Sequence, residues 1–229
     1  MTNRVPGIFI TGTDTEVGKT YVTALIARAL VAAGRRVGIY KPVASGCRPQ
    51  GEQLVSDDAE ALWQAAGRPG ELDRVCPQRF LAPLAPHLAA RQEGKTVDRA
   101  MLRAGIEYWQ ACSDVILVEG VGGLMSPLGE EEYVADLAEG FGFPLVVVSR
   151  NVLGTINQTL QTLIAAAAFG EGLEIAGIVL NHPAPASGDA SLSTNREELT
   201  ARCVPPLLAE VAWQAEQFAP PVNWMDLAG

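Results

Sequence analysis

The sequence predicts an α/β fold, with a mostly parallel β-sheet and helices on both of its faces. Short apolar runs alternate along the chain with longer segments of helical periodicity, which is the pattern of successive strand–helix units. The apolar runs at 114–118 and 144–149 are continuous, and continuous runs are typical of parallel strands buried on both faces. A glycine-bounded loop between the first strand and the first helix is the third indication.

Length and composition limit the classes of protein to consider. The chain has 229 residues without a linker-like stretch, so we expect one domain over residues 1–229. The formal net charge is −9, which suits neither a nucleic-acid surface nor an anionic membrane. The four cysteines are far apart, which argues against a zinc site or a disulfide framework. Because no secretory signal or membrane-length apolar run is present, we expect a cytoplasmic protein.

The first strand is predicted at residues 7–11 and runs directly into a loop at 12–20, Gly-Thr-Asp-Thr-Glu-Val-Gly-Lys-Thr. A helix is predicted over 21–33. Backbone N–H groups at such a helix N-terminus, together with the helix dipole, bind phosphate groups. The sequence therefore predicts a P-loop NTPase-like fold.

Two side chains of this loop are suited to binding a nucleoside triphosphate. Lys19 can reach the outer phosphates, and the Thr20 hydroxyl can contact a phosphate-bound magnesium ion. The spacing departs from the common P-loop form, because Gly12 lies one residue too far from Gly18 and Thr13 occupies the expected glycine position. We interpret the segment as a variant P-loop with a rebuilt first turn.

A second strand is predicted at 36–40 and is followed by Lys41 and Ser45. Ligands bind beyond the carboxyl ends of parallel strands, so both residues are expected near Lys19. For Lys41, an ordinary surface lysine remains an equal interpretation.

A polar stretch at 48–53 leads to a helix for which Ser56 is the predicted N-cap. Asp57 and Asp58 then occupy the first turn. From composition alone, we favour a role for both in complementing the helix dipole.

An irregular, proline-containing segment at 80–87 enters a helix at 88–92, and a further helix is predicted over 97–111. His87 lies at the end of the irregular segment. A hydrogen-bonded structural histidine is favoured there over a general base.

The strand at 114–118 ends in Glu119, and Gly120 and Gly122 follow. A carboxylate at the end of a buried strand, opposite a phosphate loop, commonly orients magnesium or its bound water. A glutamate in a plain turn is the alternative. The glycines allow the backbone to approach a ligand closely.

The strand at 144–149 precedes a helix that begins near Gly154 and runs to about residue 169. The N–H groups at its start suit a second anion site, although a plain strand-to-helix connection explains them equally well. The remaining predicted elements are a strand at 175–180, a mobile loop at 184–194, a short helix at 197–202, a last strand at 207–211 and a tail with little pattern.

Taken together, these motifs resemble the dethiobiotin synthetase family of biotin biosynthesis over nearly the whole chain. The P-loop and the second-strand motif are highly specific. The matching segments are 12–20, Tyr-Lys-Pro-Val-Ala-Ser-Gly at 40–46, Ser-Asp-Asp at 56–58, Pro86-His87, Val-Glu-Gly-Val-Gly-Gly at 118–123, Asn181, and Pro-Leu-Leu-Ala-Glu at 206–210.

The resemblance implies an ATP- and magnesium-dependent cyclo-ligase. Members of the family convert 7,8-diaminononanoate (diaminopelargonate) and carbon dioxide to dethiobiotin, with release of ADP and phosphate. One amine becomes a carbamate, the carbamate attacks the γ-phosphate, and the second amine closes the ring on the resulting carbamic-phosphoric anhydride. This is the penultimate step of biotin biosynthesis.

The resemblance also implies a set of site residues. Catalytic roles fall to Thr15, Lys19 and Lys41, and the magnesium ligands are Thr20, Asp58 and Glu119. The expected nucleotide contacts are Glu16, Val17, Gly18, Lys19, Thr20, Tyr21, Asp58, Glu119, Gly120, Val121, Gly122, Asn181, His182, Ala212 and Trp213. The expected contacts of the diamine are Thr15, Lys41, Ser45, Gly154, Thr155 and Asn157.

The family is homodimeric, with the diamine site near the subunit interface. By motif, Gly154, Thr155 and Asn157 would bind the substrate carboxylate from the partner subunit. Two positions depart from the family pattern: His182 stands where an aspartate is frequent, and Ala212 where a proline is frequent. The motifs therefore support the phosphate chemistry better than strict adenine selectivity.

Two other classes of protein fit the sequence less well. Partitioning and membrane-positioning ATPases share the fold, but their loop carries an additional lysine where this chain has Asp14. They also need a basic surface or an amphipathic membrane helix, and neither is predicted here. The synthetase domain of cobyrinate-type amidotransferases would need a glutaminase domain, for which no length remains.

Overall fold

The computed structural model describes residues 4–185 and 188–229. Its strands are, in chain order, β1 (Gly7–Gly12), β2 (Val37–Tyr40), β3 (Val43–Ala44), β4 (Arg48–Gln50), β5 (Gln53–Val55), β6 (Gln78–Arg79), β7 (Val115–Glu119), β8 (Leu145–Arg150), β9 (Ile175–Asn181) and β10 (Leu207–Val211). Its helices are α1 (Lys19–Ala32), α2 (Asp57–Ala65), α3 (Leu72–Val75), α4 (Pro86–Gln92), α5 (Arg99–Ala104), α6 (Ile106–Cys112), α7 (Val134–Phe141), α8 (Thr155–Ala168) and α9 (Asn195–Arg202).

Six strands form a parallel sheet in the order β10-β9-β8-β1-β7-β2. All residues of β1, β2 and β7 are buried, which explains their continuous apolar sequences. Each aliphatic side chain buried in this way contributes about 1.5–3 kcal/mol. The carboxyl ends of these three neighbouring strands meet at one edge of the sheet, so the P-loop, Glu119 and Lys41 lie close together.

Helices cover both faces of the sheet, as predicted. Val147 of β8 packs with Leu163 of α8, whereas Val146 and Val148 belong to the main core cluster, which also includes α1. Successive side chains of a strand point to opposite faces, so α1 and α8 lie on opposite sides. The α/β fold with a parallel sheet is therefore confirmed. None of the helices within residues 4–185 and 188–229 is long and apolar enough to cross a membrane.

The helix predicted over 97–111 is instead two helices, α5 and α6, separated at Gly105. The Tyr40 hydroxyl donates to the carbonyl oxygen of Leu102 at 2.8 Å, a group that a continuous helix would use internally. A Cβ atom at position 105 would overlap the same hydroxyl. The break therefore depends on a tertiary contact that helical periodicity does not reveal.

Three other segments are more ordered than predicted. The polar stretch at 48–53 belongs to an antiparallel hairpin formed by β4 and β5. The predicted mobile loop contains a 3-10 helix at Ala190–Ser193, which begins where the Asp189 carboxylate accepts from the Ser191 N–H at 2.9 Å; residues 186–187 of that loop lie outside the described residues. The tail forms a second 3-10 helix at Trp224–Leu227, and Trp224 is buried.

Helices α3 and α7 and the two-residue strands β3 and β6 are not predicted from the sequence. Helix α4 begins at Pro86 rather than at Leu88, because proline is favoured in the first turn of a helix. The other predicted strands and helices agree with the structure to within about two residues at each end.

Candidate active site

A cleft of about 860 Å³ opens at the carboxyl edge of β1, β2 and β7. Its walls come from the P-loop, the segment after β2, the start of α2 and the loop after β7. The predicted site residues that line it are Thr15, Glu16, Gly18, Lys19, Thr20, Lys41, Ser45, Asp58, Val121 and Gly122. Residues far apart in sequence are thus brought together where a parallel sheet places its ligands.

The side chain of Asn181 stabilises the P-loop. Its side-chain Nδ2 donates to the Val17 carbonyl oxygen at 2.9 Å. Gly18 has a left-handed backbone, with φ of 91°, and a Cβ atom there would overlap the same nitrogen. Because Asn181 is buried and bonded, it cannot easily move aside, so only glycine fits position 18.

Lys19 lies beneath this loop and is 7% exposed. Its Nζ donates to the Asp14 carbonyl oxygen at 2.8 Å. Burial, which disfavours the charged amine, lowers the Lys19 pKa to about 8, and the positive charge of Lys41 acts in the same direction. A polyphosphate in the cleft would restore the charged form.

Lys41 is 3% exposed, so it is not an ordinary surface lysine. Its Nζ lies 2.5 Å from Glu119 Oε1 and 3.1 Å from Asp58 Oδ2, and we call these three residues the Lys41 cluster. Burial alone would lower the Lys41 pKa, but the two carboxylates outweigh it and raise that pKa above its ordinary value. The Lys41 amine therefore stays protonated inside the cleft.

Asp57 and Asp58 have different surroundings. Partial burial of the half-exposed Asp58 opposes its ionisation, but Lys41 and the Thr20 hydroxyl lower the pKa of this carboxyl below its usual value. Asp57 instead pairs with Arg48 at 2.6 Å, outside the cleft. Ser56 caps the helix as predicted, accepting from the Ala59 N–H at 3.2 Å. The purely dipolar interpretation therefore suits Asp57 and not Asp58.

The three predicted magnesium ligands fit that ion. The Thr20 hydroxyl donates to Glu119 Oε1 at 2.9 Å. Glu119 is 1% exposed, and its second oxygen, Oε2, is buried without a hydrogen-bond partner among the described residues. No group of three His, Cys, Asp or Glu side chains forms a metal cage in the part of the chain that the structure describes. Magnesium commonly needs only one or two carboxylates, with phosphates and water completing its coordination.

The residues predicted around the nucleotide base do not line this cleft. The Asn181 Oδ1 atom is buried without a partner among the described residues. His182 Nε2 lies 2.7 Å from Glu210 Oε1 and 3.0 Å from Asn151 Nδ2, so its ring is already engaged by protein groups. The remaining predicted nucleotide contacts outside the lining are Val17, Tyr21, Glu119, Gly120, Ala212 and Trp213.

The predicted carboxylate site is also separate from the cleft of the same chain. Gly154 is exposed at the N-terminus of α8, with φ of 95°, and Asn157 is exposed one turn later. The Thr155 hydroxyl is buried without a partner among the described residues. Leu153, just before them, is 81% exposed.

Sequence reasoning missed part of the cleft wall. Residues 83–86 line it, and so does Ser126, whose Oγ accepts from the Gly123 N–H at 2.8 Å. The sequence predicts only an irregular segment at 80–87 with no site residue in it, although the match of Pro86-His87 to the family pattern was a usable signal. His87 lies outside the lining, with Nδ1 3.3 Å from the Pro127 carbonyl oxygen, which suits a structural role.

Comparison with known proteins gives the family. A family model described as an AAA domain matches residues 6–220. An ATP-dependent dethiobiotin synthetase of Rhodopirellula baltica is 44% identical over 214 residues, which cover 89% of this chain and 82% of that protein. The chain belongs to the dethiobiotin synthetase family. A second member, from Anaeromyxobacter dehalogenans, is 42% identical over 210 residues, or 92% of this chain and 91% of that protein.

Solved structures confirm the fold expected for this dethiobiotin synthetase family member. A ParA family ATPase from Chlorobium tepidum superposes with a TM-score of 0.56, covering 94% of this chain and 86% of that chain. The hydrogenase maturation factor HypB from Archaeoglobus fulgidus gives 0.52, covering 91% and 81%. Both are 17% identical to this chain, so the likeness shows a shared fold and no shared activity.

Proposed function

We propose that the chain is an ATP-dependent dethiobiotin synthetase, which converts 7,8-diaminononanoate and carbon dioxide to dethiobiotin with release of ADP and phosphate. The observation that carries the proposal is the Lys41 cluster. A buried lysine between two carboxylates faces the P-loop across one cleft, in a chain of the dethiobiotin synthetase family.

The proposed reaction has three steps. One substrate amine adds to carbon dioxide and loses a proton to give a carbamate. A carbamate oxygen attacks the γ-phosphorus of ATP, and the bond to the bridging oxygen breaks to release ADP. The second amine then attacks the carbon of the carbamic-phosphoric anhydride, and phosphate departs as the cyclic urea closes.

Charge and position explain how the chain promotes these steps. Phosphoryl transfer needs alignment and charge neutralisation more than covalent chemistry. Lys19 would bind the outer phosphates, and Lys41 would stabilise the charge shared by the carbamate and the moving phosphoryl group. Thr15 and Ser45 line the cleft and would hydrogen-bond the carbamate or the amines. Thr20, Asp58 and Glu119 would hold magnesium, which when bound neutralises phosphate charge.

The base of the nucleotide would lie beyond the P-loop, near Asn181. The unpartnered buried oxygen of Asn181 supports this position, since it could accept from an exocyclic amine. His182, Ala212 and Trp213 would border the base, although the His182 ring already contacts Glu210. The other proposed nucleotide contacts are Glu16, Val17, Gly18, Tyr21, Gly120, Val121 and Gly122.

We also propose that the protein is a cytoplasmic homodimer in which each chain forms one domain over residues 1–229. Gly154, Thr155 and Asn157 of one subunit would bind the carboxylate of the diamine held by the other. The exposed Leu153 and Ile164 support an interface on this face, at 81% and 66% exposure.

The test is phosphate release from ATP with magnesium and bicarbonate, with and without the diamine, combined with mass detection of the product. We expect phosphate release that requires the diamine and matches dethiobiotin one to one. ATP hydrolysis that is indifferent to the diamine would contradict the proposal and would favour a nucleotide-switched ATPase.

A further inference from the structure

A second buried carboxylate lies on the loop that forms one wall of the cleft, and it has no part in the proposed chemistry. Glu132 is 3% exposed, although it is the last of three successive glutamates in a surface loop. Both of its oxygens are paired: Arg99 Nε donates to Oε2, and Arg103 Nη2 donates to Oε1. The two arginines are four residues apart on α5, so they share one face of that helix. We call these three residues the Glu132 cluster.

The loop that carries Glu132 joins β7 to α7, over residues 120–133. It is tied together internally. The Leu128 N–H donates to the Glu132 carbonyl oxygen at 2.7 Å, and the Val134 N–H donates to the Ser126 carbonyl oxygen at 2.9 Å. A displacement of Glu132 would therefore be transmitted to Ser126.

The other end of this loop forms one wall of the cleft. Gly122 and Ser126 line it. A Cβ atom on Gly122 would lie 3.7 Å from Thr15 Cγ2, and one on Gly123 would lie 3.4 Å from the Gly12 carbonyl oxygen. The loop after β7 is thus in contact with the P-loop.

Helix α5 also anchors the opposite wall. The Tyr40 hydroxyl, one residue before Lys41, donates to the Leu102 carbonyl oxygen at 2.8 Å. The Gln78 side chain also contacts Asp98, the N-cap of α5. Gln78 Nε2 donates to the Asp98 carbonyl oxygen at 2.7 Å, and Gln78 Oε1 accepts from the Asp98 N–H at 2.8 Å. One helix therefore contacts the segments that carry Lys41 and the segments that face the P-loop.

We infer that Glu132 is a positioning residue: with Arg99 and Arg103, it fixes the loop after β7 to α5 and so sets the separation of Lys41 from the P-loop. This inference rests on the proposed function for its kinetic consequence. In-line phosphoryl transfer is sensitive to displacements of about 1 Å, whereas ground-state nucleotide binding is shared among many N–H groups. Loss of the Glu132 cluster should therefore affect turnover more than ATP binding.

The test uses Glu132→Gln, which keeps the shape of the side chain and removes its charge. Asp114→Asn is the matched control, because Asp114 also pairs with an arginine, Arg36, but at the amino end of β7, away from the cleft. We expect Glu132→Gln to lower kcat on the order of tenfold or more, with the KM for ATP changed by less than about threefold. The control should retain the wild-type values of both.

Hydrogen exchange of a peptide spanning 120–128 gives a readout that does not depend on activity. We expect faster exchange in Glu132→Gln and unchanged exchange in Asp114→Asn. Unchanged kcat and exchange in a folded Glu132→Gln protein would overturn the inference, and so would equal effects in the control.

If Glu132→Gln does not fold, the double variant Arg99→Lys, Arg103→Lys decides by the same criteria, because lysine keeps the charge but loses the guanidinium geometry. A wild-type protein that makes no dethiobiotin would refute the proposed function and leave the exchange experiment to judge the Glu132 cluster.

Discussion

The Lys41 cluster and the Glu132 cluster place similar groups in opposite arrangements. In the first, a buried cation lies between Glu119 and the half-exposed Asp58. In the second, a buried carboxylate lies between two half-exposed arginines. Both oxygens of Glu132 are paired, whereas one oxygen of Glu119 is buried without a partner among the described residues.

Under the proposed function, this difference separates a structural cluster, around Glu132, from a ligand-binding one, around Lys41. A buried polar atom without a hydrogen bond costs free energy, and a bound magnesium ion would offset that cost at Glu119 Oε2. The Lys41 cluster also has Lys19 as a neighbour, whose pKa is lowered by burial and would rise again beside a bound anion. In the Glu132 cluster both carboxylate oxygens are already paired, and the two arginines face solvent.

The largest effect is expected from Lys41→Ala, which removes the cation from the reacting groups. Loss of one transition-state charge contact typically costs a factor of roughly a hundred or more in kcat. Turnover should be measured beside the circular dichroism spectrum, which should still report a folded protein. Lys95→Ala is the control, since Lys95 is an exposed lysine paired with Glu93. Near-normal turnover in Lys41→Ala would remove Lys41 from the mechanism.

A smaller effect is expected from Asp58→Asn, which tests whether the half-exposed carboxylate of the cluster helps to hold magnesium. We expect at least about tenfold more magnesium to be required for half-maximal nucleotide binding. Asp57→Asn is the matched control, because its carboxylate pairs with Arg48 outside the cleft. A magnesium titration that is the same in both variants would return Asp58 to a role at the helix N-terminus.

The smallest effect concerns pH. Burial lowers the Lys19 pKa to about 8, so we expect the amine to lose its charge as the pH rises from 7 to 9. Bound phosphates favour the charged amine, so ATP binding above pH 8 must take up a proton. We expect the ATP affinity to fall about tenfold between pH 7 and pH 9.

Calorimetry in buffers of different ionisation enthalpy measures the proton uptake directly. Adenosine, which lacks phosphates, should show no such dependence, and an equal pH response to both ligands would exclude Lys19 as the cause.

Much of the fold and part of the site follow from local sequence. Parallel strands buried on both faces require continuous apolar runs, which is why β7 and β8 were located to within one residue. Lys41 follows β2, Glu119 ends β7, and Lys19 begins the helix after β1, so topology alone brings these residues to one edge of the sheet.

Other features depend on distant partners and leave no local pattern. Glu132 lies within a run of glutamates that suggests an exposed loop, and its burial depends on two arginines from another helix. The break at Gly105 depends on the hydroxyl of Tyr40. The engagement of His182 by Glu210 could not be inferred from either residue alone.

The most direct test of the proposed reaction follows an oxygen atom. Bicarbonate labelled with a heavy oxygen isotope is supplied with ATP, magnesium and the diamine, and the released phosphate is analysed by mass spectrometry after a short reaction. If a carbamate held near Lys41 attacks the γ-phosphate, each phosphate that accompanies a dethiobiotin molecule carries one oxygen from bicarbonate. Dethiobiotin formed beside unlabelled phosphate would contradict the account, because phosphoryl transfer would then have gone to another acceptor.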